Sequence, residues 1–438
     1  MLIFSLHSLR KVLPFWQGRP SAGLNQPIPA DCYMKIIFLT ENFHCGGLDS
    51  FLLTLVNHWP NREDELTIIC NHGHPGYSVI KSGLSRPCEV LRHRMSTYSN
   101  LAIKTRRSPV LNWLRRLLSP SLKVGYFVYY LVALRSIFLR EHADRLMVVN
   151  GGHPGGDTCR AAIIAWRVFA SHKPRAIYNF HNLATIPRRF EKWPEKLIDR
   201  LIVRFSRVLL GVSQACAESM RIRLGDMGMR KVRWIYNGIS APIPDSVPVI
   251  TLREELNIPA DSPLCLMLAT YEPRKGHDFL LRAFQKVVAE IPAAHLVVCG
   301  YGYLEEIEPV KHLVELYDLS GHVRLQGFRR DIDVMLKQSD LLLVASQAYE
   351  SFGLTSVEAM ANRIPVVATR VGGIPEVVVD GEGGFCVDPN DIAGYADRIV
   401  DFLKNPEFRK EQAEKGYQRY QRLFSAERMS KEYAQIIS

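Results

Sequence analysis

The stretch YESFGLTSVEAMANRIPVVAT, residues 349–369, decides the fold of this chain. The run DLLLVAS before it, residues 340–346, is apolar and of strand length, and a loop must follow it because it ends in polar residues. Gly353 lets a ligand approach the backbone closely, and Thr355 or Ser356 is expected to cap the helix that follows. The pattern therefore predicts a strand, a loop and a helix, with a second strand at the end of the stretch.

The loop and the helix start carry groups that can bind a nucleotide diphosphate. Consecutive backbone N–H groups at Phe352, Gly353 and Leu354 lie at the positive end of the helix dipole. Glu358, in or near the first turn, is placed to accept hydrogen bonds from two ribose hydroxyls. Glu350, on the loop, is placed to face the group beyond the diphosphate. The alternative is an ordinary strand, loop and helix with two surface glutamates.

Two glutamates separated by seven residues and followed by AMA, a proline and PVVAT resemble the donor motif of the retaining glycosyltransferases of family 4. The similarity runs from about Met34 to the C-terminus and is strongest over residues 264–389. It implies an α/β fold of two Rossmann-like, doubly wound parallel-sheet domains that face a cleft, the GT-B architecture. It also implies that Glu358 binds the nucleotide ribose, Glu350 contacts the donor sugar, and the backbone of residues 352–354 holds the distal phosphate.

Strand-like and helix-like segments alternate along both halves of the chain, as in a doubly wound sheet. The first half contains KIIFLT, starting at residue 35, and further predicted strands at 66–70, 145–150, 176–180, 207–213 and 231–238. In the second half, strands are predicted at 264–270, 294–302, 322–328, 340–346 and 364–369. The predicted organisation is an extension at 1–33 outside the fold, an acceptor-binding domain at 34–240, a proline-rich linker at 241–250, a donor-binding domain at 251–410 and helices at 411–438 that, by the resemblance, cross back to the first domain. Met34 is a candidate translation start.

A cation stands at the first strand-to-helix turn of the second half. Lys275 lies where it could neutralise the diphosphate as the leaving group departs, unless it is only a solvated turn residue. Members of the family usually carry an arginine five residues earlier, where this chain has Thr270. Arg274 is the nearest substitute. Base recognition is expected from backbone groups near Phe328 and Arg329.

Three candidate residues of the first half lie at loops that open parallel sheets direct toward ligands. His181 follows the strand at 176–180 and resembles the acceptor-domain histidine that contacts the transferred sugar, although a histidine at a strand end can be purely structural. Gly46 and Gly47 occupy the first turn, where relatives have a glycine pair that faces the cleft. Turn geometry alone would also explain them. Another such pair, at residues 372–373, is expected beside the donor sugar.

Charge is divided unequally between the two halves. Residues 1–240 contain 34 Lys and Arg against 15 Asp and Glu, whereas residues 241–438 contain 21 against 29. A basic half of this size suggests an anionic partner: a membrane surface, an acidic glycan or a lipid-diphosphate acceptor. The alternative is a basic surface that is only solvated and binds no partner. Residues 104–123 are the densest basic region, a short helix that could lie on a membrane or pack on its own domain. The apolar run at 124–139 is predicted to be too short and too interrupted by Arg135 to span a bilayer.

The composition argues against several other classes of protein. Nine cysteines are scattered without a C-x-x-C pair, which indicates a reducing compartment and no metal cluster. The sequence DID at 331–333 is expected to cap the start of a helix and not to bind a metal. The basic residues are not interleaved with an RNA-binding motif, so no nucleic-acid partner is expected.

These features favour a cytoplasmic glycosyltransferase that is metal-independent by family likeness, either free in the cytoplasm or at the inner face of the membrane. It would move a sugar from a UDP- or GDP-sugar, a co-substrate and not a cofactor, to a glycan or lipid-linked acceptor in surface polysaccharide or glycolipid assembly. The alternatives are a sugar-nucleotide epimerase or glucan synthase on the same architecture, and a catalytically silent homologue that binds nucleotide sugar or a partner enzyme.

Overall fold

The computed structural model describes residues 33–43, 46–105, 108–187, 192–242 and 251–438, without the side chains of residues 99, 103, 116 and 120. The predicted extension, up to residue 32, and the predicted linker from residue 243 onward lie outside this range. All strands in the two sheets described below pair in parallel.

The first sheet has seven strands in the order β3-β2-β1-β4-β5-β6-β7. The strands are β1 (Lys35–Glu41), β2 (Glu65–Asn71), β3 (Glu89–His93), β4 (Arg145–Asn150), β5 (Ile177–Phe180), β6 (Leu209–Gly211) and β7 (Val232–Trp234). Helices of this half are α1 (Gly47–Asn57), α2 (Tyr77–Gly83), α3 (Tyr98–Thr105), α4 (Pro109–Leu117), α5 (Ser119–Glu141), α6 (Asp157–Phe169), α7 (Lys192–Phe205), α8 (Gln214–Ser219) and α9 (Arg221–Met229).

The second sheet has six strands in the order β10-β9-β8-β11-β12-β13. The strands are β8 (Leu264–Leu268), β9 (His295–Cys299), β10 (Val323–Gln326), β11 (Leu341–Val344), β12 (Val366–Thr369) and β13 (Gly384–Val387). Helices of this half are α10 (Leu252–Glu255), α11 (His277–Glu290), α12 (Leu304–Leu316), α13 (Ile332–Lys337), α14 (Leu354–Ala361), α15 (Ile374–Val377), α16 (Ile392–Lys404), α17 (Pro406–Leu423) and α18 (Ala426–Ile437).

Both sheets are covered by helices on their two faces, which explains why their central strands are apolar throughout. Six of the seven residues of β1 are buried, as are all five of β9. The predicted fold of two doubly wound parallel sheets is therefore confirmed, and so is each predicted strand. Sequence reasoning missed the edge strands β3 and β13: β3 (EVLRH) has no continuous apolar run, and the run of β13 (GFCV) is only four residues long and directly follows a glycine-rich turn.

The last helix of the chain lies against the first sheet. Asn179 donates a hydrogen bond of 2.9 Å to the Tyr433 hydroxyl of α18, and Arg145 donates one of 2.9 Å to the Ile437 carbonyl. Near the start of α18, Gly238 must lack a side chain because a Cβ there would lie 2.3 Å from the Ser425 carbonyl oxygen. The chain therefore returns from the second sheet to the first through α17 and α18.

Two local predictions were wrong. The α14 helix begins at Leu354 with Gly353 as its N-cap, in the left-handed region at φ 97°, so Thr355 and Ser356 lie inside the helix and do not cap it. The apolar run at 124–139 is also not too short, since it lies within the 23-residue α5, and Ser121–Glu141 is long and apolar enough to cross a membrane by length and composition. Arg135 lies on the exposed side of α5 and does not interrupt it.

Candidate functional site

The candidate donor residues come together at the carboxyl edge of the second sheet. Strands β8, β11 and β12 are neighbours in this sheet and run parallel, so the segments that leave them meet at one edge. The turn after β8 carries Lys275, the loop after β11 carries Glu350, and the loop after β12 carries Gly372. Residues separated by almost one hundred positions in sequence therefore form one site.

Lys275 and Glu350 form a direct ion pair. The distance from Lys275 Nζ to Glu350 Oε2 is 2.5 Å, and both side chains are mostly buried. The turn that carries the lysine lies close to the loop after β11, because Gly276 has a φ of 76° and a Cβ there would lie 2.0 Å from the Ala345 carbonyl oxygen. The cation that was expected to face a diphosphate is thus held by the carboxylate that was expected to face a sugar.

Arg274 lies beside this pair. Its Nη1 is 3.9 Å from Glu350 Oε2, and its Nε donates a 2.7 Å hydrogen bond to Glu272. Thr270, at the position where the family usually has an arginine, donates a 2.9 Å hydrogen bond to the same glutamate. The side chain at position 270 therefore contacts the carboxylate that holds the Arg274 guanidinium, which keeps a second cation at the site.

The N-terminal end of α14 presents unpaired backbone donors. Within the described residues, the N–H groups of Phe352, Gly353 and Leu354 donate to no acceptor, and no side chain caps the helix. The Phe352 ring is buried and stacks on Tyr236 at a centroid distance of 6.0 Å, which fixes the loop. A rigid loop with free N–H groups at a helix N-terminus is a site for an anionic group.

Glu358 is the fifth residue of α14, just beyond its first turn. Its half-buried carboxyl accepts no hydrogen bond from the part of the chain that the structure describes. Burial, together with the charge of nearby Asp333, raises the pKa of Glu358 from 4.5 to about 7. Asp333 itself accepts a 2.9 Å hydrogen bond from Asn362. Glu358 is therefore an acceptor without a donor, which is the arrangement that a ligand with hydroxyl groups would complete.

The glycine pair after β12 packs directly on the loop that holds Glu350. A Cβ on Gly372, which has a φ of 55°, would lie 2.1 Å from the Glu350 carbonyl oxygen, and one on Gly373 would lie 2.5 Å from that of Ser351. The Gly373 N–H donates a 2.9 Å hydrogen bond to the Glu350 carbonyl. The pair therefore supports the position of Glu350, a role that the sequence could not distinguish from direct contact with a sugar.

His181 follows β5 at the carboxyl edge of the first sheet. Asn179 donates its amide N–H groups to the Leu210 carbonyl and the Tyr433 hydroxyl, so its oxygen accepts a 2.6 Å hydrogen bond from the Nε2–H of His181. Burial lowers the pKa of His181 to about 3, which keeps the imidazole neutral. Its Nδ1 is then an acceptor that could bind a hydroxyl group.

The two halves of the chain touch at the candidate site. A Cβ on Gly47 would lie 3.2 Å from a Leu354 methyl group, so this glycine lies opposite the start of α14. The neighbouring Gly46 donates its N–H to Asp49 at 2.9 Å. Ser213 of the first half donates a 2.5 Å hydrogen bond to the Ser351 carbonyl. The glycine turn and the loop after β11 are thus adjacent in space.

One further contact between the halves was missed in the sequence. Glu376 accepts hydrogen bonds of 2.6 and 2.7 Å from the N–H groups of Gln214 and Ala215 at the start of α8. Burial raises the pKa of Glu376 despite these bonds. No local signal identifies such a cap, because the acceptor and the helix are separated by about 160 positions.

The side chains of Phe328 and Arg329 face solvent or pair with carboxylates, and base recognition by the backbone groups near them stays a prediction. The Phe328 side chain is 68% exposed, and Arg329 forms ion pairs of 2.6 Å with Glu255 and with Asp331. Asp331 directly precedes α13, as predicted for the DID sequence, but its carboxylate pairs with Arg329 and does not cap the helix. In the described ranges, no group of three or more His, Cys, Asp and Glu side chains could hold a metal ion.

Comparison with family models gives two matches that together cover most of the chain. Residues 45–241 match the model described as Glycosyltransferase Family 4, and residues 249–419 match that described as Glycosyl transferases group 1. Among curated proteins, the chain is 30% identical over 207 residues to the N-acetyl-alpha-D-glucosaminyl L-malate synthase of Bacillus anthracis, which covers 47% of this chain and 53% of the relative. It is also 30% identical over 217 residues to the lipopolysaccharide core biosynthesis glycosyltransferase LpsE of Rhizobium meliloti, covering 49% and 61%. The chain thus spans between half and two thirds of these relatives.

Solved structures resemble the chain over nearly its whole length. HepE of Anabaena, solved in complex with UDP, has a TM-score of 0.70 at 20% identity, over 92% of this chain and 99% of HepE. A glycosyltransferase from Rickettsia africae has a TM-score of 0.73 at 17% identity, over 92% and 98%. At these identities the likeness establishes a shared fold.

Proposed function

Since the chain belongs to the GT-B glycosyltransferases of family 4 and group 1, we propose that it is a retaining enzyme that transfers a sugar from a UDP- or GDP-sugar to a glycan or lipid-linked acceptor. One observation carries the proposal. The N-terminal end of α14 combines three N–H groups with a half-buried Glu358 carboxyl one turn further along the helix, and none of these groups has a hydrogen-bond partner among the residues that the structure describes. A diphosphate bound to the N–H groups would place its ribose hydroxyls near a carboxylate that lacks donors.

The charges around Glu350 suit the departure of a diphosphate leaving group. Lys275 and Arg274 lie within 2.5 and 3.9 Å of the same Glu350 oxygen, so both cations are close to one point of the site. In the proposed reaction they stabilise the negative charge that develops on the leaving phosphate, together with the α14 N–H groups. In this proposal the two side chains and the end of the helix stabilise the charge on the phosphate, and no divalent metal takes part in the step.

Glu350 and His181 are proposed to act on the sugar. When a diphosphate takes over Lys275, the Glu350 carboxylate is freed to accept hydrogen bonds from sugar hydroxyls. The neutral His181, with Nδ1 as an acceptor, would bind a sugar hydroxyl from the side of the first domain. Donor and acceptor would thus be held by different domains, and the acceptor hydroxyl would attack from the face that the diphosphate leaves.

A uridine nucleotide is the first donor to test. The structures of HepE include one in complex with UDP-glucose, and the fold of this chain matches them over 92% of its length. By analogy with LpsE of Rhizobium meliloti, whose name assigns it to lipopolysaccharide core biosynthesis, we propose that the reaction belongs to surface polysaccharide or glycolipid assembly. We further propose that it takes place in the cytoplasm at the face of the membrane, where the basic first half of the chain would meet anionic lipid.

A catalytically silent homologue is the second candidate, and the Lys275–Glu350 ion pair favours it. In a silent protein, this pair would stay closed when nucleotide binds. The test is slow hydrolysis of UDP-glucose, UDP-N-acetylglucosamine and GDP-mannose without acceptor, with free sugar and nucleotide measured by chromatography. An enzyme releases both from one donor, an epimerase changes the sugar without releasing nucleotide, and a silent homologue binds nucleotide but leaves all donors intact.

A further inference from the structure

Two consecutive helices of the first domain leave a wide apolar surface uncovered. On α4 the exposed side chains, 53 to 66% exposed, are Val110, Leu111, Trp113 and Leu117. On α5 the exposed apolar side chains, 44 to 63% exposed, include Val124, Val128, Val132 and Leu139. We call these eight residues the α4–α5 surface. Monomeric soluble proteins rarely expose so many large apolar side chains on adjacent helices unless the surface binds a partner.

The α4–α5 surface lies within the most one-sidedly charged segment of the sequence. Between Glu89 and Glu141 the chain has ten Lys and Arg residues and no Asp or Glu. Of these cations, five are exposed, namely Arg92, Arg94, Lys104, Arg135 and Arg140, and Arg140 forms a 2.8 Å ion pair with Glu141 at the end of α5. Arg115 is held in place on α4 by a 2.8 Å hydrogen bond to the Tyr98 hydroxyl. An apolar surface within a segment whose charged residues are all basic is complementary to an anionic layer with an apolar interior.

The opposite side of α5 anchors it to the domain. Tyr130, Leu134 and Phe138 are at most 5% exposed, and the Phe138 ring lies edge-on to Trp166 of α6 at 5.2 Å. The helix leads directly into β4, which pairs with β1 in the middle of the sheet. Although α5 is long and apolar enough to cross a bilayer, these contacts keep one face of it in the core.

We propose that the α4–α5 surface docks this protein on the surface of an anionic lipid bilayer, with the apolar side chains between the head groups and the cations at the lipid phosphates. This inference deepens the proposed function, because it rests on a lipid-linked acceptor at a membrane. It commits to a bilayer, because a basic segment that also exposes apolar side chains is attracted to anionic lipid head groups and can bury its apolar face between them.

The topology places this surface near the candidate site. Since β3 and β4 run in the same direction within the sheet, the connection between them starts at the carboxyl edge and α5 returns to the amino edge. The α4 helix, which precedes α5, therefore lies toward the carboxyl edge, where Gly47 and His181 also lie. A docked protein would receive an acceptor anchored in the bilayer beside the residues proposed to bind it.

Vesicle flotation of the full chain tests the inference. We expect the protein to float with phosphatidylcholine vesicles that contain about one third phosphatidylglycerol, and to stay at the bottom with phosphatidylcholine alone or at high salt. The variant Leu111→Ser/Leu117→Ser should partition at least about tenfold more weakly. Its matched control is Leu304→Ser/Leu316→Ser on α12, which removes two leucines of the other domain that are at least as exposed and should leave flotation unchanged.

Donor hydrolysis in solution distinguishes a failure of membrane docking from a failure of the proposed glycosyltransferase function. Both double variants should hydrolyse the donor at the wild-type rate, because neither touches the candidate site. A protein that hydrolyses its donor but does not float, or that loses flotation equally in both variants, overturns membrane docking and leaves the enzyme intact. A dimer on size-exclusion chromatography that Leu111→Ser/Leu117→Ser dissociates also overturns it, because the surface would then bind a second copy. Flotation without donor binding would instead sink the proposed function.

Discussion

Replacing Glu358 with Gln should strengthen the fold and weaken nucleotide binding. In the folded, unliganded chain the Glu358 carboxyl has a pKa of about 7, against 4.5 as its ordinary value, because it is buried beside Asp333. Because the pKa of Glu358 is higher in the folded than in the unfolded chain, the folded state binds the proton more tightly. The contribution of this group to the free energy of unfolding is therefore greatest below pH 4.5 and falls as the pH rises to about 7. The shift corresponds to at most about 3 kcal/mol above pH 7. We expect Glu358→Gln to recover about 1–3 kcal/mol at pH 8 and almost nothing at pH 4.5.

Nucleotide binding should change in the opposite direction. If two ribose hydroxyls donate to the Glu358 carboxylate, losing the charge should cost about 2–4 kcal/mol of binding, or roughly 30- to 1000-fold in affinity. Calorimetric titration with UDP and GDP measures this loss, and urea unfolding at pH 4.5 and pH 8 measures stability. Glu315→Gln, on the exposed side of α12, is the control and should change neither quantity. A Glu358→Gln variant that is less stable at pH 8, or that keeps wild-type affinity, would refute the reasoning.

Three further predictions concern the same site. Gly372→Ala should lower the free energy of unfolding in urea by more than about 3 kcal/mol and abolish nucleotide binding, because the new Cβ would meet the Glu350 carbonyl. Its control, Gly381→Ala, is also at positive φ but has no atom within 4 Å of the new Cβ, so it should cost only about 1 kcal/mol; equal costs would show that backbone strain alone matters. Lys275→Ala should lower kcat for donor hydrolysis by about 100-fold or more, Lys275→Arg should recover part of the loss, and the control Lys311→Ala, on the exposed face of α12, should have no effect. A wild-type kcat in Lys275→Ala would show that this lysine does not stabilise the leaving group. The wild-type affinity for the preferred nucleotide should fall as the pH drops below about 7, because Glu358 then becomes protonated and can accept fewer hydrogen bonds, and a flat profile from pH 6 to pH 8 in calorimetric titration would count against its role.

The architecture could be predicted from the sequence because its signals are local. Buried parallel strands are short apolar runs such as LCLML of β8, and the helices between them can be recognised by the helical periodicity of their apolar residues. The edge strand β3 could not be recognised because it lacks such a run, and β13 could not because its run is only four residues long and follows a glycine-rich turn. The cap of α14 was misassigned because Thr355 and Ser356 have the composition of N-caps, whereas Gly353 supplies the left-handed conformation that the loop requires.

The positions of the candidate residues were predictable, but their partners were not. The alignment of strand ends brings Lys275 and Glu350 to one edge, as their place in the pattern indicated. Their ion pair, with 2.5 Å between Lys275 Nζ and Glu350 Oε2, depends on how two loops that are remote in sequence pack together. The same holds for Glu376, which caps α8 across the two halves of the chain. Local sequence reasoning cannot detect such contacts because no pattern within one segment encodes them.

The central claim is that the N-terminal end of α14 binds the diphosphate of a sugar donor, and amide hydrogen exchange tests it most directly. The N–H groups of Phe352, Gly353 and Leu354 have no acceptor in the described structure, so saturating UDP or GDP should slow their exchange by about tenfold or more, while uridine and guanosine, which lack phosphates, should not. If a nucleotide diphosphate binds and protects other segments but leaves residues 352–354 unchanged, the diphosphate lies elsewhere and the account of the site is wrong.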